Sequence, residues 1–255
     1  MTPNDSINYV TLGSLINTLT DYHANGAYEK LKENVTLLNE PNYALMIRTT
    51  NLETNNFNDD LIYIDEKAYD FLKKSKVQAN DLIMNKIANA GAIYLMPDLD
   101  HPVSLGMNLF LIRIDKNKAN PYFIFSYLKK NEAYVKSFAS GSTTKTITKD
   151  DVRKLKIYCP PIEEQQKITE ILSTWDKAIT NTENLIANSE MQKKALMQQL
   201  LTGKKRLLDE NGVRFSGEWD KVPLSSKITF PNLKSTKKDE HPIITSSRKG
   251  IFLQE

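Results

Sequence analysis

Cysteine is nearly absent: Cys159 is the one cysteine among 255 residues. That excludes an internal disulfide framework and any site built from several thiolates, and leaves Cys159 to be read as a small buried apolar residue. Glycine and proline are also sparse, 9 and 10, so collagen-like and linker-type compositions do not apply. No run approaches the ~18 consecutive apolar residues of a membrane span. The opening Met1–Val10 has neither the basic nor the apolar region of a signal peptide. The expectation is a cytoplasmic protein with no membrane partner. The three histidines, His23, His101 and His241, lie too far apart for metal-ligand spacing, so neither a metal nor a cofactor is expected.

Catalytic motifs are missing too. There is no P-loop, no Gly-rich cofactor loop and no Asn/Asp-Pro-Pro-aromatic motif of an adenine methyltransferase. Pro97-Asp98 resembles the opening of a nuclease carboxylate site. None of Asp100-His101-Pro102, Asp115-Lys116-Asn117 or Glu132-Ala133-Tyr134 supplies the acid-x-Lys that would complete it. This is the sequence of a binding protein, not an enzyme. Charge is nearly balanced, 34 Lys and Arg against 31 Asp and Glu, but unevenly placed. Residues 1–85 carry 7 basic and 12 acidic side chains, residues 86–156 carry 12 and 6, and the remainder 15 and 13. A basic stretch of this kind tolerates a polyanion, although two oppositely charged solvated faces would give the same counts.

The first 160 residues read as mixed α and β. Apolar runs at Tyr43–Ile47, Leu61–Ile64, Leu82–Ile87, Ala92–Met96 and Leu109–Ile114 are separated by Asn, Asp, Gly and Pro clusters, the pattern of strands and turns. Helices are expected over Glu66–Ser75 and from Asn120-Pro121 towards Phe138, the latter with an N-cap and a proline at the first helical position. Thr148 with Asp151 marks a third, short helix through a capping box.

The character changes at Cys159-Pro160-Pro161, because two prolines cannot sit inside a helix. From Glu163 to Thr202 there is no Gly or Pro. Gly203, followed by Lys204, Lys205 and Arg206, then supplies a C-terminal cap and cations at the negative end of the dipole. About 40 residues of helix measure roughly 60 Å, more than the width of a domain of about 160 residues. Steps of four and three from Ile168 meet Leu172, Trp175, Ile179, Thr182, Ile186, Ser189, Lys193, Leu196 and Leu200, apolar at both ends and polar in the middle. A stripe at this spacing has to be buried against another helix, in this chain or another. Beyond it, Val222, Leu224, Ser226 and Ile228 repeat Val10, Leu12, Ser14 and Ile16 at a constant offset of 212, a short signal of duplication.

Four loops at strand ends combine small residues, amides and cations. They are Asp21–Gly26, with Tyr22, His23 and Asn25; Arg48–Asn51, with Arg48, Thr49 and Asn51; Asn85–Gly91, with Asn85, Lys86 and Asn89; and Ser140–Thr146, with Ser140, Gly141, Ser142, Thr143, Thr144 and Lys145. Arg, Lys and Asn pair with base edges, while hydroxyls and backbone N–H groups suit phosphate oxygens. Each loop alone reads equally well as an exposed polar turn.

Taken together, these residues resemble the specificity (S) subunit of type I restriction–modification enzymes. Pro160-Pro161-Ile162-Glu163-Glu164-Gln165-Gln166-Lys167-Ile168 is similar to that family's Pro-Pro-x-x-Glu-Gln-x-x-Ile opening of its conserved helix, and Leu200-Leu201-Thr202-Gly203 to the helix's close. Asn80-Asp81-Leu82-Ile83 stands where the family has a Gly-Asp-Ile-Leu turn, with Asn accepting the left-handed position. Ala139–Ser142, Ile147-Thr148 and Gly217-Glu218-Trp219 also fit. The resemblance implies an α+β fold: a target recognition domain over residues 1–160, a conserved spacer helix over 161–204 that forms an antiparallel coiled coil, and the partial start of a second recognition domain over 205–255. It implies a non-catalytic subunit that recognises double-stranded DNA and carries methyltransferase (M) subunits, with a restriction (R) subunit able to join. Lys86 and Lys145 would then hold phosphates, with Arg48, Asn51, Asn85, Asn89 and Thr143 nearer the bases. Ile168, Leu172, Trp175, Ile179, Ile186, Leu196 and Leu200 would form the coiled-coil interface, against either a second copy of the 163–202 helix or an M subunit. The alternative is a truncated regulatory protein that occupies M subunits through this helix without delivering them to a target.

Overall fold

The computed structural model describes residues 9–229 and, as backbone alone, 244–247 and 250–253. In chain order the elements are β1 (Tyr9–Thr11), α1 (Leu12–Leu15), β2 (Ile16–Asp21), α2 (Tyr28–Asn34), β3 (Ala44–Ile47), α3 (Thr49–Glu53), β4 (Tyr63–Ile64), α4 (Glu66–Phe71), β5 (Lys76–Val77) and β6 (Leu82–Asn85). They continue with β7 (Ile93–Leu95), β8 (Val103–Leu105), β9 (Leu109–Ile114), α5 (Pro121–Lys130), α6 (Glu132–Ser137), α7 (Lys149–Lys154), β10 (Lys156–Tyr158) and α8 (Ile162–Leu201). A hairpin, β11 (Ile244–Ser247) with β12 (Gly250–Leu253), lies near the end. The chain divides into two compact units, Met1–Asn181 and Thr182–Glu255.

Two four-stranded sheets build the first unit. One has the order β2-β9-β6-β7 and is antiparallel throughout; the other has the order β4-β3-β8-β5, with β3 and β8 parallel. The layering follows from side-chain alternation along the strands. In β6 and β9, Leu82, Met84, Phe110, Ile112 and Ile114 point into a core shared with α1, α5, α6 and α7, while Ile83, Leu109 and Leu111 point into a core between the two sheets. In β3, Leu45 and Ile47 face that same inter-sheet core, and Ala44 and Met46 face a third cluster with Leu31, Ala68 and Leu72 of the α2 and α4 region. Strands buried on both faces need apolar side chains along most of their length, so β3, Leu82–Met84 of β6 and Leu109–Ile112 of β9 read as continuous hydrophobic runs, and the exceptions, Asn85 and Arg113, lie towards the strand ends.

A bidentate ion pair holds the base of the first sheet. Arg113 donates from Nε to Asp81 Oδ1 at 2.8 Å and from Nη2 to Oδ2 at 2.6 Å, and the same carboxylate accepts the Gln78 N–H at 2.7 Å. Asn80, just before it, has φ 68°, the left-handed conformation expected of the residue standing in place of glycine.

Several sequence expectations shift in the fold. The strand expected over Leu82–Ile87 ends at Asn85, because the chain turns with Ala88 at φ 65°. The helix expected to run to Phe138 is two, broken at Asn131, whose side-chain amide donates back to the Tyr127 carbonyl at 2.8 Å. Glu66–Ser75 is a short α-helix followed by a 3₁₀ turn at Lys73–Ser75, since Leu72 leaves helical geometry at ψ 40°. The strands β1, β2, β5, β8 and β10 were not marked by any apolar run; β1 and β5 are short, and β2 is half polar. The helix after Thr148 forms with its capping box: Asp151 N–H donates to Thr148 Oγ1, and Thr148 N–H to Asp151.

The start of α8 is tied down by a buried side chain. Gln165 Oε1 accepts the Asn120 N–H at 2.9 Å, and its Nε2 donates to the Pro160 carbonyl at 2.7 Å and to Cys159 Sγ at 3.3 Å. Cys159 is half-buried rather than enclosed, at the margin of the largest core, and burial pushes its thiol pKa up. Tyr122 of α5 donates its hydroxyl to Asp176 of α8. Burial first, and then the Asp176 carboxylate, push the Tyr122 pKa up to about 12.

The coiled-coil stripe is covered at its ends and exposed in its middle. Ile168 is half-buried against the largest core of the first unit. Leu200 is half-buried in a cleft with Lys205, Leu207, Phe215 and Trp219. Both ends therefore find cover within the chain. Between them Leu172, Trp175, Ile179, Ile186 and Leu196 are exposed.

In the second unit the helix closes at Gly203, with φ 71° and its Cα against the Trp219 ring, where a Cβ would lie 2.6 Å from the indole. Arg206 stacks over the same ring. The duplicated motif recurs in local geometry: Ser14 Oγ donates to the Thr11 carbonyl at 2.7 Å, and Ser226 Oγ to the Pro223 carbonyl at 2.8 Å, each inside a short helical turn. Leu12 is wholly buried, whereas its counterpart Leu224 is 71% exposed. The turn repeats; the core that covers Leu12 does not. Of the 205–255 segment, residues 230–243 (His241 among them), 248–249 and 254–255 lie outside the described residues.

Replacing Gln165 by alanine leaves a buried N–H and a buried carbonyl without partners. The expected loss is about 2–4 kcal/mol of stability, measured by urea unfolding of the full chain.

Candidate nucleic-acid interface

With both faces of the central sheet apolar, polar side chains collect at strand ends. The antiparallel register puts the end of β2, the end of β6 and the start of β9 together, through Asp21 opposite Phe110 and Asn85 opposite Leu109. At that end the loops chosen from sequence meet. Lys86 N–H donates to the Asn108 carbonyl at 2.8 Å, and the Lys86 carbonyl accepts from the Ile147 N–H at 3.1 Å, joining the 85–91 turn to the segment that leads from the 140–146 loop into α7. Ile87 and Thr146 form a bridge. Glu53 at the end of α3 accepts from Asn85 Nδ2 at 3.4 Å and Asn89 Nδ2 at 3.5 Å, which brings in the 48–53 segment.

The 140–146 loop is a closed projection. Ser140 and Thr146 exchange both backbone hydrogen bonds, at 2.9 and 2.8 Å. Gly141 has φ 123°, and a Cβ there would meet the Thr144 carbonyl at 2.4 Å, so only glycine fits. Gly141, Ser142, Thr143, Thr144 and Lys145 are exposed, and the four side chains from Ser142 to Lys145 make no hydrogen bond among the described residues.

Other chosen residues are occupied elsewhere. Tyr22 is buried in the third core, beside an exposed His23. Asn25 spends its amide on Tyr22 O, Ser75 Oγ and the Lys74 N–H, tying its loop to the 3₁₀ turn behind it. Asn51 is buried and accepts the Arg48 N–H at 3.1 Å, closing the start of α3. Arg48 is paired with Asp60 at 3.0 Å, and Thr49 is half-buried. Asn85 is buried with its Oδ1 unpaired. Asn51, Asn85 and Asn25 therefore hold the loops in place, and the chosen residues exposed on the surface are His23, Asn89 and the 140–145 group.

The family described as type I restriction modification DNA specificity domain matches residues 7–190. The chain belongs to that family. It is 31% identical over 131 residues to the protein named type I restriction enzyme MjaX specificity subunit of Methanocaldococcus jannaschii, covering 51% of this chain and 30% of that one. It is 34% identical over 88 residues to the MjaVIII specificity subunit of the same organism, 34% of this chain and 21% of the relative. The solved S subunit from M. genitalium aligns with TM-score 0.53 at 19% identity, covering 83% of this chain and 49% of that one. A chain from a structure of type I R-M complex assembly aligns with TM-score 0.52 at 18% identity, covering 78% and 46%. These two likenesses show the fold. The specificity-domain chain spans less than half the length of each of these relatives.

Three charged residues of this specificity domain are not among the side chains selected from sequence, although one of them, Asp21, opens a selected loop. Asp21, at the end of β2, accepts from Lys86 Nζ and from Lys149 Nζ, each at 3.2 Å, and caps the turn that follows through the Ala24 N–H at 3.1 Å. Glu53 is the third. Lys149 opens α7, where a helical signal was read but no binding role. Near Glu53, Tyr94 has its pKa raised by burial first and then by the Glu53 and Glu132 charges, and Lys129 lies 5.8 Å from its ring. Among the described residues, no group of His, Cys, Asp or Glu could hold a metal ion, and no helix is long and apolar enough to cross a membrane.

Burial pushes the Asp21 pKa upwards, but hydrogen bonds and charges from Lys149 and Lys86 outweigh it and hold the carboxyl below its ordinary value. A depressed folded-state pKa contributes stability above the unfolded pKa of about 3.9, and loses it as pH falls through the folded value. Asp21→Asn should therefore narrow the stability difference between neutral pH and strong acid. Urea midpoints measured across that range for both proteins check the sign.

Proposed function

We propose that residues 1–160 form a DNA target recognition domain, and that the chain is a non-catalytic specificity component which directs type I methyltransferase subunits to a DNA sequence. The observation that carries this reading is the convergence of the loops at one end of a sheet buried on both faces. That end combines exposed hydroxyls, amides and an unpaired Lys145 with the lysines at 86 and 149. Side chains of this kind on a rigid sheet can track phosphates and reach base edges. In this arrangement Lys145, Thr143 and Thr144 approach the DNA first, followed by Ser140, Ser142, Asn89 and His23. Asn25, Asn51 and Asn85 position the loops.

Residues 161–204 act as the spacer helix, and 205–255 open a second recognition domain. Support for the second assignment is the repeated turn with its matching serine-to-carbonyl hydrogen bond. The exposed middle of the helix, Leu172, Trp175, Ile179, Ile186 and Leu196, is the surface for a partner helix. Leaving each such side chain in water forgoes about 1.5–3 kcal/mol relative to full burial. A partner is either an M subunit or a second copy running antiparallel, which would present two identical recognition domains; an R subunit would join the assembled complex.

A titration of the full chain with duplex DNA over salt tests recognition. Affinity should fall with log salt at about −0.9 per phosphate contact, and Lys145→Ala should lower that slope by about 0.9. Indifference to both DNA sequence and salt would remove the reading. Sedimentation of the purified chain tests the helix: a dimer should revert to monomer on Ile179→Asp, whereas a monomer unchanged by that substitution assigns the surface to M subunits.

A further inference from the structure

The two lysines nearest the sheet end are not free. Lys86 comes from the turn after β6 and Lys149 from the first residue of α7, and both end on the two oxygens of one carboxylate. The Asp21 side chain is 11% exposed and sits beneath them; each lysine side chain is 32% exposed, so its ammonium still reaches solvent. The carboxylate itself is fixed by its own turn, through the Ala24 N–H. The geometry is that of an anion held between two cations contributed by different segments, with a third cation, Lys145, exposed on the loop that precedes Lys149.

We propose that Asp21 is a built-in substitute for a DNA phosphate, which neutralises Lys86 and Lys149 until a correctly read target draws them away. A phosphate oxygen and a carboxylate oxygen ask the same thing of an ammonium group, a charge-assisted hydrogen bond. Any backbone phosphate reaching this edge has to compete with a carboxylate already in place. DNA that makes no base contacts supplies nothing towards that exchange and leaves the lysines paired. DNA that satisfies the base-facing loops brings its phosphates to the edge at fixed positions, and the lysines can transfer. Asp21 thus acts as a specificity-determining residue: it weakens binding to random sequence more than binding to the target. Backbone contacts supply essentially all of non-specific affinity, so control of two cations is control of that background. The inference rests on the DNA-recognition reading above.

The experiment compares the full wild-type chain with Asp21→Asn, whose amide oxygen can still cap the Ala24 N–H, in binding to a random-sequence duplex DNA pool over a range of salt. The expected result is roughly tenfold tighter binding at low salt and a slope steeper by about 1 to 2, as one or two lysines become free for phosphates. Lys149→Met in the wild-type background should leave the slope nearly unchanged, while the same substitution added to Asp21→Asn should lower it by about 0.9. If Asp21→Asn binds random DNA with the wild-type affinity and slope, the role of Asp21 is overturned while DNA recognition stands. If neither protein binds DNA, the recognition reading itself falls. Should Asp21→Asn fail to fold, the single Lys149→Met variant decides: a slope reduced by about 0.9 shows that lysine was already free, and overturns the proposal.

Discussion

Burial of the central sheet on both faces governs the rest of this protein. In β6 and β9, the apolar residues enter two different cores by alternation, and the two polar residues, Asn85 and Arg113, lie towards the strand ends. Desolvating polar groups within such a layer costs several kcal/mol unless each finds a partner. Polar chemistry is therefore expelled to the strand ends, where the backbone turns and water returns. The candidate interface lies there for that reason. The loops at 48–53, 85–91 and 140–149 originate in different parts of the chain, and the antiparallel pairing of β2, β9 and β6 gives them one end to gather on.

Carboxylates organise that end. Asp21 gathers two lysines, Glu53 gathers two asparagines, and Asp81 at the opposite end of β6 takes the Arg113 fork. Each acidic side chain fastens together segments that share no secondary structure. The surface proposed to meet a polyanion then carries negative charge in its own foundation, buried at Asp21 and exposed at Glu53. Electrostatic attraction is local to the exposed Lys145 loop, and the lysines behind it are already committed. Such a surface favours selectivity over strong background affinity.

The junction with the long helix follows a similar logic. Gln165 satisfies backbone groups at Asn120 and Pro160, and the Tyr122 hydroxyl meets Asp176 about three turns further along the helix. Two attachments hold the part of the helix that belongs to the first unit against its core. The apolar side chain at Ile168 completes this anchor, so the exposed stripe begins only at Leu172.

Much was legible in the linear chain because it depends on local rules. The capping box at Thr148, the left-handed position at Asn80, the glycine stop at 203 and the 40-residue helix all follow from backbone stereochemistry within a few neighbouring residues. The family resemblance lay in those same local motifs. The roles of individual polar side chains did not, because a hydrogen bond between residues 65 or 128 positions apart leaves no spacing signal. Asn51 and Asn85 have the composition of base-reading residues, yet packing buries them and assigns their amides to the loops themselves. Asp21 looked like one acid in a polar turn until the sheet brought Lys86 and Lys149 to it. By itself the sequence determined the long helix, the most apolar strands, several caps and the family, all set by short-range geometry. Which cations are paired, which amides are spent and which apolar residues remain in water were decided only by the tertiary structure, because each depends on what distant strands carry to the same place.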